Sequence, residues 1–185
     1  MTVRELGKTI TQELARVFDR LDEAQVDAFL AELDRARRVI LAGAGREGIA
    51  TRAFTMRLMH LGLDAHWLWD DTTPSLRPGD LLVATSGPGN IGHLHYVVET
   101  AKARGGRVAI VTGDPGGRTV PLADVVLFVP ASVYQGKADV VPSVQPMGNL
   151  FEQALFITFD AIVMTLRDRK GITPQEMEAR HRNLE

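Results

Sequence analysis

Apolar positions along this chain follow two alternating rhythms. Short runs rich in β-branched residues end in glycine turns, and between them lie longer stretches with apolar residues at helical spacing. The first 37 residues read as helices. Ile10, Leu14, Val17 and Phe18 share one helical face, and a second pattern runs through Val26, Phe29, Leu30 and Leu33. Strands are predicted at 38–44, 65–69, 80–85, 107–112 and 125–129. Helices are predicted at about 48–61, 91–104 and 147–166, and Thr173-Pro174 opens a short terminal helix. Residues 131–146 follow neither rhythm. That stretch, rich in Pro, Ser and Gln, is long for a loop inside a compact domain, which marks it for function.

Alternating strands and helices predict an α/β fold: a five-stranded parallel sheet, doubly wound, flanked by helices on both faces. The chain, 1–185, reads as one domain, with N-terminal helices at 1–37, the sheet core at 38–130 and C-terminal helices at 147–185. Two strands end in glycine turns that open helices. They are Arg38-Val-Ile-Leu-Ala-Gly-Ala-Gly-Arg-Glu-Gly48 and Asp80-Leu-Leu-Val-Ala-Thr-Ser-Gly-Pro-Gly-Asn90. Such turns aim backbone N–H groups and a positive helix end at whatever binds there. In a doubly wound sheet ligands sit outside the carboxyl ends of the strands, at the switch point. If strands one and three are neighbours, both turns line one crevice, suited to a polar or anionic small molecule.

Composition narrows the classes. The 185 residues are 45% hydrophobic and 24% charged, ordinary for a globular chain able to bury a core. A net charge of −2 favours no nucleic acid and no membrane surface as partner. The absence of cysteine excludes disulfides, thiolate catalysis and thiolate metal sites. The N-terminus has no apolar signal core and no segment approaches about 20 apolar residues, so a cytoplasmic location is expected.

Gly43-Ala-Gly-Arg-Glu-Gly48, Ala53-Phe-Thr-Met-Arg-Leu-Met-His-Leu-Gly62, Thr72-Thr-Pro-Ser75 and Thr85-Ser-Gly-Pro-Gly89 together resemble the sugar isomerase (SIS) domain. Pro146-Met-Gly-Asn-Leu-Phe-Glu152 and Arg180-His-Arg-Asn-Leu184 extend the resemblance over the whole chain, toward the 6-phospho-3-hexuloisomerase family. The resemblance implies a flavodoxin-like five-stranded parallel sheet and a homo-oligomer, dimer or tetramer, with active sites near subunit interfaces. It implies movement of a carbonyl between C3 and C2 of a hexulose 6-phosphate, giving fructose 6-phosphate, with no metal and no organic cofactor. It also implies that Glu152 is the acid/base residue and that His181 reaches an active site to assist ring opening or oxygen protonation.

A carbonyl shift through an enediol needs a base that lifts a proton beside the carbonyl and returns it one carbon away. A carboxylate in apolar surroundings suits that task. Glu152 lies among Leu150, Phe151, Ala154, Leu155 and Phe156. The plainer reading of Glu152 is a first-turn acid favoured by the helix dipole. For His181, among Glu178, Arg180 and Arg182, it is a solvated surface residue. His93 and His95, two residues apart, fall on different helical faces and read as non-ligands, with His93 able to border the pocket. Asp70 and Asp71 read as turn residues, His60 as a packed helix residue and Arg57 as an ion-pair partner.

The substrate-binding residues implied are Gly45, Arg46, Glu47, Ser86, Gly87, Gly89 and Asn90 in the two turns, with Thr72 and Thr73. Here the chain departs from the family. The first turn usually reads Gly-x-Gly-Arg-Ser-Gly, and Glu47 replaces the serine. The second usually reads Ser-Gly-Ser-Gly, then a polar residue and threonine, and Pro88 and Ile91 replace two hydroxyl residues. Each lost hydrogen bond to a phosphate costs about 1.5–3 kcal/mol, and a carboxylate beside a dianion adds about 1 kcal/mol of repulsion in water. Three readings follow: the family reaction with a rearranged phosphate site, an isomerase of an unphosphorylated sugar, and a non-catalytic sugar-binding module. Retention of Glu152 and His181 opposes the third, because a binding module needs no base.

Overall fold

The computed structural model describes residues 1–184. Two capped helices open the chain, α1 (Val3–Phe18) and α2 (Glu23–Arg35). At α1 the Thr2 hydroxyl accepts the N–H of Glu5 while the Glu5 carboxylate accepts that of Thr2; Asp22 caps α2 through Ala24 N–H. Then come β1 (Arg38–Gly43), α3 (Gly45–His60), β2 (Ala65–Trp67), β3 (Asp80–Thr85), α4 (Gly92–Ala103), β4 (Arg107–Thr112), β5 (Val125–Phe128), α5 (Asn149–Lys170) and α6 (Pro174–Ala179).

The five strands form one parallel sheet in the order β2-β1-β3-β4-β5. Alternate strand residues feed two cores. Leu41, Val83, Ala109 and Leu127 face α1, α2, α3 and α5, whereas Ile40, Leu82, Val108 and Ile110 face α4. One face of the sheet therefore carries four helices and the other one. Across the thicker layer Phe54 of α3 stacks on Phe159 of α5, ring centroids 4.2 Å apart.

Several boundaries differ from the sequence expectation. β2 ends at Trp67 because its carbonyl accepts Asp70 N–H and the Thr73 hydroxyl, which turns the chain off the sheet edge. α3 begins at Gly45 because Gly48 N–H already bonds to Ala44 C=O, closing the first helical turn there. α5 begins two residues later than expected, since Met147 and Gly148 have φ of 59° and 80° and are not helical. It runs on to Lys170, where Gly171 at φ 63° ends it and Arg167, Arg169 and Lys170 complement the helix dipole. By length and composition α5 could cross a membrane, contrary to expectation. The residues responsible, among them Phe151, Leu155, Phe159, Ile162 and Leu166, are core residues buried against the sheet and α3.

Candidate active site

The glycine turns meet where the strand order reverses. β1 and β3 are adjacent, with Gly43 opposite Thr85, so the α3 and α4 N-termini rise side by side at the switch point. Glycine is required at this seam. A Cβ on Gly43 would strike the Thr85 hydroxyl, and one on Gly48 would lie 2.8 Å from the Gly43 carbonyl oxygen. The Thr51 and Thr85 hydroxyls, 2.7 Å apart, tie α3 to β3.

Above this seam lies a cavity of about 350 Å³. Ala44, Gly45, Arg46 and Glu47 form one wall and Pro88, Asn90 and Ile91 a second. Val133, Tyr134 and Gln135 from the irregular stretch, with Met147, Gly148 and Glu152, close the rest. That stretch is strapped down at both ends. Ala131 bridges Val141, and the buried Glu13 carboxylate of α1 accepts from Ser143 Oγ (2.6 Å) and Val144 N–H (2.9 Å). Gln135 (φ 61°) and Met147 are the non-glycine residues in left-handed conformations among the described residues, and both line the cavity.

Two carboxylates and one guanidinium dominate its electrostatics. Glu152, in the first turn of α5, places Oε2 3.0 Å from Arg46 Nη1, which also donates to Asn149 Oδ1 at 2.6 Å. Glu47, in the first turn of α3, accepts Gly87 N–H at 2.9 Å through Oε2. Burial pushes the Glu47 carboxyl up to about 7; the Gly87 hydrogen bond opposes that rise and the charge of Glu152 adds to it. With a carboxylate beside an arginine and a second carboxyl poised near neutrality, the cavity can move protons on a small polar molecule.

The residues singled out in the sequence separate into groups. Gly45, Arg46, Glu47 and Asn90 line the cavity with Glu152. Gly87 stands behind Glu47, and a Cβ there would collide with its Oε1. Ser86 is buried with its hydroxyl unpartnered, and Gly89 (φ 64°) packs its backbone on Gly117. Thr73 belongs to a different pocket, beside Ile40, Tyr96 and Arg104, and Thr72 borders a surface groove with Ile49 and Arg52. His93 does not line the cavity; its ring lies 6.2 Å from that of Trp69. His181 packs against His60 at the far end of α3, ring centroids 5.3 Å apart and the rings tilted by 31°. About 15 helical residues separate that end from Gly45, so within one chain the site and His181 are roughly 20 Å apart. Sequence reasoning missed Asn149, Tyr134, Gln135 and Met147 as site residues. The length of the irregular stretch pointed to that wall, and the 146–152 motif contains Met147 and Asn149 without marking either as a site residue.

Relatives and solved structures agree with this fold. The SIS domain pattern matches residues 32–155. The 3-hexulose-6-phosphate isomerase of Mycobacterium gastri is 37% identical, over 99% of this chain and 95% of that protein. The enzyme of the same name from Bacillus subtilis is 33% identical over the full length of both. A crystal structure from Methanococcus jannaschii, from which a 3-hexulose-6-phosphate isomerase function was inferred, superposes with a TM-score of 0.85. It is 26% identical and covers 98% of this chain and 99% of its own. Strand order, switch-point cavity and matching relatives converge: the chain belongs to the SIS domain family.

Proposed function

We propose that this protein is a sugar isomerase that moves a carbonyl between C3 and C2 of a hexulose 6-phosphate through an enediol, yielding fructose 6-phosphate. The observation that carries the reading is Glu152. It is a largely buried carboxylate at the mouth of α5, held beside Arg46 in a cavity of sugar size. Glu152 takes the proton from the carbon beside the carbonyl and returns it to the neighbouring carbon, while Arg46, itself held by Asn149, fixes its orientation. Asn90 and the N-termini of α3 and α4 receive the phosphate. His181 serves ring opening from a second copy of the chain, because in its own chain it lies at the wrong end of α3. The enzyme works in the cytoplasm as a dimer or tetramer.

One observation favours an unphosphorylated substrate: the Gly87 N–H, which could meet a phosphoryl oxygen, is already occupied by Glu47. Turnover separates the two. Efficient conversion of 3-hexulose 6-phosphate to fructose 6-phosphate supports the first reading. Turnover confined to unphosphorylated ketoses, with no thermal stabilisation by millimolar fructose 6-phosphate, overturns it in favour of the second.

A further inference from the structure

We propose that Glu47 is a second catalytic carboxyl, which carries the proton between the two substrate oxygens while Glu152 carries the proton between the two carbons. This rests on the isomerase reading above and adds a residue to it.

The chemistry demands two transfers. When Glu152 removes the C2 proton, negative charge builds on the C3 carbonyl oxygen and must be met by a proton. In the second half the C2 hydroxyl must lose its proton as C3 gains one. A single carboxylate serving the carbons is occupied at both moments, so a second group is needed at the oxygens. Protonated Glu47 gives its proton to the C3 oxygen as Glu152 takes the C2 proton, and the neutral enediol forms. Glu47 then takes the proton from the C2 hydroxyl as Glu152 returns its own to C3. Glu47 ends protonated and Glu152 ionised, as both began, so protons and charge balance.

The geometry supplies what this role requires. Glu47 and Glu152 enter the same cavity from α3 and α5, near enough for the charge of Glu152 to bear on the ionisation of Glu47. One oxygen of Glu47 is fixed by the Gly87 N–H, which leaves the carboxyl oriented. Its other oxygen has no hydrogen-bond partner among the described residues and is not sealed away from the cavity that Glu47 lines. A fixed carboxyl with one free oxygen is the form a proton carrier takes. The other ionisable groups lining the cavity are Arg46, engaged by Glu152 and Asn149, and Tyr134 on the strap. Farther back on that wall Asp114 is held by the N–H groups of Gly116 and Lys137. No histidine lines the cavity among the described residues. Burial, which raises the Glu47 carboxyl toward neutrality, lets it carry a proton at working pH and still release it.

The test is kcat and the pH dependence of kcat/KM for the unaltered enzyme, Glu47→Gln and Glu47→Asp, with melting curves for all three. In the unaltered enzyme kcat/KM should fall as pH rises through about 7, where Glu47 of the free enzyme loses its proton. Glu47→Gln keeps the acceptor for Gly87 N–H. It should lower kcat about 100-fold with KM within about threefold, and the alkaline fall should disappear. Glu47→Asp should be partly active and keep that fall. Unchanged kcat and an unchanged alkaline limb in Glu47→Gln would overturn the proposal. Should that variant not fold, a kcat/KM of the unaltered enzyme that stays flat to pH 9 overturns it instead. If the unaltered enzyme isomerises no ketose and incorporates no solvent deuterium, the isomerase reading itself has failed, and the Glu47 role with it.

Discussion

Glutamine in place of Glu152 keeps the outline of the side chain and its contact with Arg46 but cannot take a proton. Glu152→Gln should therefore lower kcat at least ~100-fold with a normal melting curve, and exchange of carbon-bound hydrogen with deuterated solvent should vanish with it. Wild-type turnover in that variant would remove Glu152 from the base role. A different carboxylate contributes to acid stability. Glu32, buried at the end of α2, accepts from Arg107 at 2.8 and 2.6 Å and also pairs with Arg35. The Arg107 hydrogen bonds hold its carboxyl below the ordinary value of 4.5, against burial, which acts the other way. Its contribution is thus complete above pH 4.5 and is lost as pH falls through the lower folded-state value. Because both arginines are half exposed, Glu32→Gln should cost about 1–2 kcal/mol at pH 7 and less below pH 4, read from urea midpoints. Among single residues, Glu152 was singled out by the resemblance, which its apolar neighbours suited, and it does line the cavity beside Arg46. The bond from Gly87 to Glu47 was not legible, since it joins turns 40 residues apart that only the sheet brings together.

α5 shows how an element boundary can set a residue of the cavity wall. Gly148 at φ 80° stops the strap and starts the helix one turn before Glu152, with its backbone against Tyr134. A Cβ on Gly148 would sit 2.8 Å from the Tyr134 amide nitrogen, in a conformation unfavourable for any L side chain. Gly148→Ala should destabilise by about 1–3 kcal/mol in urea titration and should lower kcat as well, because the strap and Glu152 move together. A variant with unchanged stability would show that the strap is not held there. β1, β3 and β4 were readable from apolar runs bounded by turns, since strands buried on both faces need little else. β2 was read too long, because the carbonyl of Trp67 is claimed by Thr73 through a bond no local pattern announces. The 131–146 strap was legible as irregular and long. Its path was not, for its anchors, Glu13 and Gln153, lie on two different helices.

Over the whole molecule, apolar surface is left on one side. Ile49, Met56 and Met59 of α3 and Phe156, Ile157 and Met164 of α5 are exposed, continuous with grooves between the two helices. An apolar face of that kind on a small domain calls for a partner surface, and a second copy of the chain offers an identical one. Light scattering at micromolar concentration should give a dimer or tetramer, and Phe156→Glu should shift it toward a 20.3 kDa monomer. A monomeric unaltered protein would refute this assembly and leave His181 no route to a cavity.

The fastening of α1 and α2 bears on how the chain is made. α2 packs on β5, where Gln25 accepts the Phe128 N–H, and α1 is held through Glu13 to residues near 144 and through packing to α5. Emerging from the ribosome before the strands, α2 can reach Arg107 of β4 but not β5, and α1 has no docking surface, until the last third of the chain has followed. At about 5–20 residues per second that is a wait of roughly 7–27 s, during which β1, β3 and β4 can already pair. The strap and Glu152 arrive in the same late segment. Two events therefore coincide: the early helices find their seats as the cavity gains Glu152.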